Sequence, residues 1–218
     1  MTAQSHILGV ILAGGRARRL FPGSDQGGDK GLAILAGEAM LTHVIRRFQP
    51  QVARLILNAN CDPLRYASFA LQVVPDLDGK AQGPLAGVLA AMTWALRETP
   101  HMTHLATATT DVPFLPLDLV ERLAAPRTER PAIAVSAGQH HATIGLWPIA
   151  LQPAIRAALD RGELSVNDFA EAHGAIAVSF PFSESGGAPV DPFFNANTPG
   201  DLAAADAILT RHKVIQQT

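Results

Sequence analysis

A lysine set among glycines and an aspartate at the end of an apolar run are the residues of this chain best suited to chemistry. The lysine is Lys30, in Gly28-Asp29-Lys30-Gly31-Leu32. Upstream, the apolar run Ile7-Leu8-Gly9-Val10-Ile11 closes in Leu12-Ala13-Gly14-Gly15 and leads into a segment carrying Arg16, Arg18 and Arg19. A buried strand that opens into a Gly-rich, cationic loop brings backbone close to a polyphosphate. Glycines leave room and tolerate unusual φ, their N–H groups point at anionic oxygens, and Arg and Lys neutralise charge. Lysine is scarce here: of 17 basic residues only Lys30, Lys80 and Lys213 are lysines. The aspartate is Asp111, in Thr109-Thr110-Asp111-Val112-Pro113. Mg²⁺ is held by one or two carboxylates together with phosphate oxygens and water, so one well-placed aspartate suffices. Gly14, Gly15, Arg19 and Lys30 as phosphate donors, with Asp111 on the metal, form a set suited to nucleotidyl transfer. Asp76, in Pro75-Asp76, is a further candidate for ligand or metal. Simpler readings stand beside these: Asp111 and Asp76 can initiate turns, Asn58 can end a strand as an Asx turn, and Lys30 can be a solvated loop residue.

Such residues need a scaffold that brings them together. Short apolar runs predict strands at 7–13, 55–58, 71–74 and 104–109. Helical spacing of apolar residues marks 40–48, the stretch after Gly83-Pro84, and the stretch after Pro116. This alternation predicts an α/β fold of three layers, a mostly parallel sheet with helices on both faces. Ligands bind such sheets beyond the carboxyl ends of the strands. Gly14, Asn58, Asp76 and Asp111 each follow a predicted strand, so the fold would gather them on one edge. The second half reads differently. Ala132–Ser136 and Thr143–Trp147 suggest a hairpin with a turn from Gly138 to His141, a mixed-sheet signal. Helices are expected at 153–161 and 165–170, and a strand at 176–180. On composition 183–189 is a loop. Thr198-Pro199-Gly200-Asp201 opens the last helix, with Thr as N-cap, Pro at N1 and an acid at N3. The polar stretch Phe21–Gly28 reads as a long loop. No linker divides the chain, which is expected to be a single domain over 1–218.

The totals exclude several classes. With 48% hydrophobic and 17% charged residues in 218, the composition is that of an ordinary globular protein. A formal net charge of −2 gives no bulk attraction to nucleic acid or an anionic membrane. Cys61 is the only cysteine, which rules out a disulfide framework and a cysteine-based metal site. The eight histidines lack zinc spacing, and adjacent His140 and His141 point apart on a strand. Without a signal peptide or a membrane-length apolar run, the protein is expected in the cytoplasm.

Taken in order, the motifs resemble one family. Leu12-Ala13-Gly14-Gly15-Arg16-Ala17-Arg18-Arg19 and Gly28-Asp29-Lys30-Gly31-Leu32 come first. Asn58-Ala59-Asn60, Asp76, Gly83-Pro84-Leu85-Ala86-Gly87, Asp111-Val112-Pro113-Phe114-Leu115-Pro116 and Phe194-Asn195-Ala196-Asn197-Thr198-Pro199 follow. The set, spread over about 7–210, resembles the molybdenum cofactor guanylyltransferases, enzymes of a Rossmann-like nucleotidyltransferase fold. The first motif alone is shared with the wider nucleotidyltransferase superfamily. The resemblance implies transfer of GMP from GTP to Mo-molybdopterin with release of pyrophosphate, and Mg²⁺ as cofactor. It implies that Leu12, Ala13, Gly14 and Gly15 contact the nucleotide, that Lys30 meets the phosphates, and that Asn58 and Asp76 line the GTP site. Asp111 would bind GTP and Mg²⁺, and Asn195 and Asn197 would lie on the molybdopterin side. It divides the chain into a nucleotide-binding half, about 1–125, and a molybdopterin-side half, about 126–218. Partners implied are GTP, Mo-molybdopterin, and chaperones of molybdoenzymes or other cofactor-biosynthesis proteins. Two features depart from the family pattern. The loop from Leu20 to Gly28 is longer by roughly five residues, an insertion of small entropic cost, and carries Asp25. Thr109-Thr110 stands where the family has Pro-Cys. The alternatives are a related cytidylyltransferase, a sugar-phosphate nucleotidyltransferase, or a non-catalytic molybdopterin carrier. A dinucleotide-binding oxidoreductase lacks support, because the loop after the first strand has no G-x-G-x-x-G.

Overall fold

Strand β1 (Ile7–Leu12) is buried along its whole length, and that burial organises everything around it. Its side chains alternate. Leu8, Val10 and Leu12 face one core and Ile7 and Ile11 face another, so β1 lies between two helical layers. The computed structural model describes residues 3–14, 20, 29–77, 83–126, 128–185 and 188–215. In chain order, β1 is followed by a small hairpin, β2 (Ile34–Leu35) and β3 (Glu38–Ala39), and by α1 (Met40–Phe48). Next come β4 (Arg54–Asn58), β5 (Gln72–Val74), α2 (Pro84–Glu98), β6 (His104–Thr109) and α3 (Leu119–Ala124). The second half holds β7 (Ala132–Ser136), β8 (Gln139–Pro148), α4 (Gln152–Asp160), α5 (Val166–Ala172) and β9 (Ile176–Ser179). A second hairpin, β10 (Ser183–Ser185) and β11 (Ala188–Val190), precedes α6 (Pro199–Ile215).

Seven strands form one sheet in the order β5-β4-β1-β6-β8-β7-β9. The pairs β5–β4, β4–β1, β1–β6 and β7–β9 are parallel, while β8 runs antiparallel to both β6 and β7. The expected mostly parallel, three-layer α/β arrangement is thus observed. Helices α2, α4 and α5 cover one face, through Leu85, Val88, Met92, Ile155 and Phe169. On the other face lie α1 and α3, through Leu41, Val44, Phe48, Val120 and Leu123. A smaller core joins α6 to the first hairpin, with Leu35, Met40, Phe114, Ala196 and Ala205 buried. Among the described residues no helix is long and apolar enough to cross a membrane.

Two expectations need correction. The turn between β7 and β8 is only Ala137-Gly138, both at positive φ (48° and 76°), the geometry of a tight two-residue hairpin turn. Strand β8 therefore starts at Gln139, and His140 and His141 sit in a strand rather than a turn. Their rings part as alternation requires: His140 is exposed and His141 is buried. The stretch from Ser183 is also not loop alone, since Ser183–Ser185 pairs antiparallel with Ala188–Val190. Each strand is only three residues long, Ser-Glu-Ser and Ala-Pro-Val, too short for an apolar alternation that would announce it.

His141 ties this half together. Its Nε2 lies 2.9 Å from Ser136 Oγ, and its ring centroid is 4.9 Å from that of Phe193. Burial lowers its pKa below 6.5, with Asp191 opposing the shift. The unfolded chain therefore takes up a proton first as pH falls, so the stability His141 contributes is full above about 6.5 and is lost below it. We expect the melting temperature to drop from pH 7 to pH 5, and the drop to be smaller in His141→Gln. An unchanged slope in that variant would exclude His141 as the source.

Candidate active site

The carboxyl ends of β5, β4, β1 and β6 open on a cavity of about 330 Å³. Seven of the residues singled out in the sequence line it: Leu12, Gly14, Lys30, Asn58, Asp76, Asp111 and Asn195. Ala13 stands between two of them and donates its N–H to the Asn58 carbonyl at 2.8 Å. Asn197 reaches the site through its side chain, which accepts a hydrogen bond from Lys30 Nζ. Gly15, Arg19 and the loop at 21–28 lie outside the described residues.

Lys30 is placed by a tight turn. Asp29 caps the 3₁₀ turn Lys30–Leu32, accepting the Gly31 N–H at 2.9 Å, and Ala33 N–H returns to the Lys30 carbonyl at 3.1 Å. Gly31 has no Cβ where one would stand 3.2 Å from Thr110 Cγ2, so the turn sits directly against the end of β6. Lys30 Nζ then meets Asp111 Oδ2 at 2.8 Å, with the two side chains only 14% and 16% exposed. The other oxygen, Oδ1, accepts the Thr109 hydroxyl at 2.6 Å. The Asp111 carbonyl accepts the Ala196 N–H at 2.9 Å, bringing the segment before α6 to the same spot. That segment is fixed by the expected cap. Asp201 accepts from Asn197 N–H and Thr198 N–H, and Thr198 Oγ1 accepts from Asp201 N–H. Bonding to Thr198, more than the nearby Lys30 charge, holds the Asp201 pKa below its usual value.

The other flank is built around Asp76, which is 7% exposed. Asn58 Nδ2 donates to Asp76 Oδ1 at 2.9 Å and to the Val74 carbonyl at 3.0 Å. Asn60 Nδ2 donates to Asp76 Oδ2 at 2.7 Å, and Asn60 Oδ1 accepts the Asp76 N–H at 2.8 Å. Helix α2 starts beside this cluster with Pro84 at its first position, after Gly83 at φ +81°. Its first turn presses on Asn58: a Cβ at Gly87 would stand 2.2 Å from Asn58 Oδ1. A helix start at a cavity favours an anion.

Asn60, Thr109 and Thr143 also line the cavity and carried no role in the sequence reading. Asn60 had a signal, since it lies two residues beyond Asn58 and an extended chain puts both on one side. Thr143 had none. It reaches the site because β8 runs antiparallel to β6, pairing Gly145 with Thr107 and so placing Thr143 beside the carboxyl end of β6. Among the described residues, no group of three or more His, Cys, Asp or Glu side chains meets closely enough to hold a metal.

Comparison with known proteins agrees with this architecture. The MobA-like NTP transferase domain matches residues 9–177. A molybdenum cofactor guanylyltransferase from Mesorhizobium japonicum is 45% identical over 207 residues, covering 93% of this chain and 96% of its own. Molybdopterin-guanine dinucleotide biosynthesis protein A from Archaeoglobus fulgidus superposes with a TM-score of 0.68 at 21% identity, over 94% of this chain and 99% of its own. The 4-diphosphocytidyl-2C-methyl-D-erythritol synthase of Anaerococcus prevotii shares the fold as well (TM-score 0.66, 12% identity, 94% and 96% covered). A cavity that gathers Lys30 and Asp111 at the carboxyl edge of the sheet, together with a match over most of the chain, places the protein in the MobA-like NTP transferase family, among the molybdenum cofactor guanylyltransferases.

Proposed function

We propose that the protein transfers GMP from GTP to Mo-molybdopterin, forming molybdopterin guanine dinucleotide and pyrophosphate. The observation that carries this reading is the meeting of Lys30 and Asp111 in one cavity, from segments far apart in the chain. A terminal phosphate oxygen of molybdopterin attacks the α-phosphorus of GTP. The bond from that phosphorus to the bridging oxygen breaks, and the electron pair leaves with pyrophosphate. The nucleophile is already anionic at neutral pH, so no strong general base is needed. Catalysis then rests on alignment and on neutralising charge in the leaving group.

The residues divide these tasks. Leu12, Ala13, Gly14 and Gly15 offer backbone to the nucleotide, with Arg19 and Lys30 on the phosphates. Asn58 and Asp76 take the base and ribose flank. Asn195 and Asn197 take the acceptor flank, which makes 1–125 the nucleotide half and 126–218 the molybdopterin half. Asp111 is the candidate Mg²⁺ ligand. A lone carboxylate suits an ion held mainly by phosphate oxygens and water, and the lack of a three-carboxylate or histidine cage among the described residues fits that mode. Bound there, Mg²⁺ would supply positive charge beside the phosphates. With a metal-bound triphosphate in the cavity, Asp111 would turn to the cation and Lys30 to the phosphate oxygens, releasing the pair they now form. The reaction is one of the cytoplasm, upstream of the proteins that receive the finished cofactor.

Four measurements test this reading. Pyrophosphate release should require GTP, Mg²⁺ and Mo-molybdopterin together; binding without release would make the protein a carrier. GTP with Mg²⁺ should raise the melting temperature more than CTP or ATP at the same concentration, since a tighter ligand stabilises the folded state more. Selective protection by CTP would overturn the choice of base. Lys30→Ala should slow turnover at least about a hundredfold, the scale of losing one transition-state charge contact. Asp111→Asn should abolish turnover with the far-UV circular dichroism unchanged.

A further inference from the structure

The motif Gly28-Asp29-Lys30 leaves one member without a task, and its side chain leads away from the cavity into the core. Asp29 Oδ1 accepts the Gly31 N–H at 2.9 Å, while Oδ2 accepts the hydroxyl of Tyr66. Tyr66 is the only tyrosine of the chain and is 1% exposed. It sits in the 3₁₀ segment Pro63–Phe69 that follows β4, a segment started by Asp62 accepting the Leu64 N–H at 3.0 Å. Its ring belongs to the same core as Leu41, Phe48 and Leu57, against β1 and α1. The ring is therefore anchored in the sheet layer, and the hydroxyl is the one polar atom it extends to the Lys30 turn. Burial and the neighbouring Asp29 carboxylate push its pKa well above the usual tyrosine value, so it remains a donor at any working pH.

We infer that Tyr66 is a positioning residue for Lys30, acting through Asp29, and that the Tyr66–Asp29 bond fixes the turn from which Lys30 reaches the phosphates. The inference rests on the function proposed above. Lys30 Nζ is now held by Asp111 Oδ2 and Asn197 Oδ1. Phosphate oxygens replace those partners when a nucleotide enters. From that moment the aim of Lys30 depends on its own backbone. That backbone is a three-residue turn held by two local bonds, the Asp29 cap and contact with Thr110. The cap keeps its direction only if the second carboxylate oxygen has a fixed partner, and Tyr66 is that partner. A buried tyrosine placed only for packing would need some acceptor for its hydroxyl; it would not need the carboxylate that shapes the catalytic turn.

A double-mutant cycle separates the two roles. Tyr66→Phe keeps the ring and removes the donor. We expect kcat to fall about tenfold, as misplacement of a reacting group by a fraction of an ångström does, while KM for GTP and the melting temperature change little. In a Lys30→Ala background the same change should cost less than about twofold, because the residue it positions is gone. If Tyr66→Phe unfolds the protein, Asp29→Asn replaces it in the cycle, with the same expectation. Losses that multiply independently in the double variant, or an unaltered kcat in Tyr66→Phe, overturn the inference and leave the proposed reaction standing. Full activity in Lys30→Ala alone would overturn the reaction scheme and this inference with it.

Discussion

The Lys30–Asp111 contact is the point on which the architecture converges. Two opposite charges lie 2.8 Å apart with little exposure, from positions 81 residues apart in sequence. Such a pair adds little net stability, because desolvating both groups offsets most of their attraction. Its value lies in what it holds ready. Asn197 joins Lys30 and Ala196 N–H joins the Asp111 backbone, so the loop after β1, the end of β6 and the approach to α6 meet at one contact. On the proposed function, a triphosphate would give Lys30 a stronger partner than a single carboxylate, leaving Asp111 to the accompanying cation. Under that proposal the pair is a resting arrangement of charges that a metal-bound nucleotide would take apart.

The sheet explains why this occurs at β6. To one side, β1, β4 and β5 run parallel to it and deliver their carboxyl ends to the rim. To the other side β8 runs antiparallel, so the rim there carries the early part of a strand and its Thr143. The cavity therefore has two chemically different flanks around a charged centre. The β4–β5 flank holds an anion, Asp76, fastened by two amides. Thr143 and Asn195 are neutral hydrogen-bonding groups elsewhere on the wall. Two flanks of different character about one charged centre suit a reaction with two unlike substrates.

The sequence was informative where a residue's role follows from its neighbours along the chain. The apolar runs of β1, β4 and β6, the N1 proline of α2 and the Thr198 cap of α6 each combine a local pattern with a local cause, and each is observed. Legibility ended where the cause lies in a partner far away. Tyr66 reads as one more core aromatic until Asp29, 37 residues earlier, appears at its hydroxyl. Thr109 reads as a strand residue until Asp111 folds back onto it. The turn before β8 falls earlier than its sequence suggests because Ala137 is not a residue type that advertises positive φ. The hairpin at 183–190 has too little apolar alternation to be seen as strands.

The choice of nucleobase cannot come from the fold, which is shared with a diphosphocytidyl enzyme; on the proposed function it would come from side chains on the Asp76 flank. Asp76 is the anionic member of that flank. Among the described residues, its two oxygens each accept one amide N–H, from Asn58 and Asn60, and a carboxylate oxygen has a second lone-pair site. The two amides fix the plane of the carboxylate, so its remaining capacity has a fixed direction, and that capacity is for donors alone. Guanine offers adjacent donors, N1–H and the N2 amine, and a carboxylate satisfies both at once. Cytosine offers one amine beside N3, an acceptor whose lone pair would face the anion. Unpaired or opposed polar groups in a closed site are what make such discrimination large. Asn60 holds both Asp76 Oδ2 and the Asp76 backbone N–H, so in the proposed GTP site it would orient the carboxylate that meets the base.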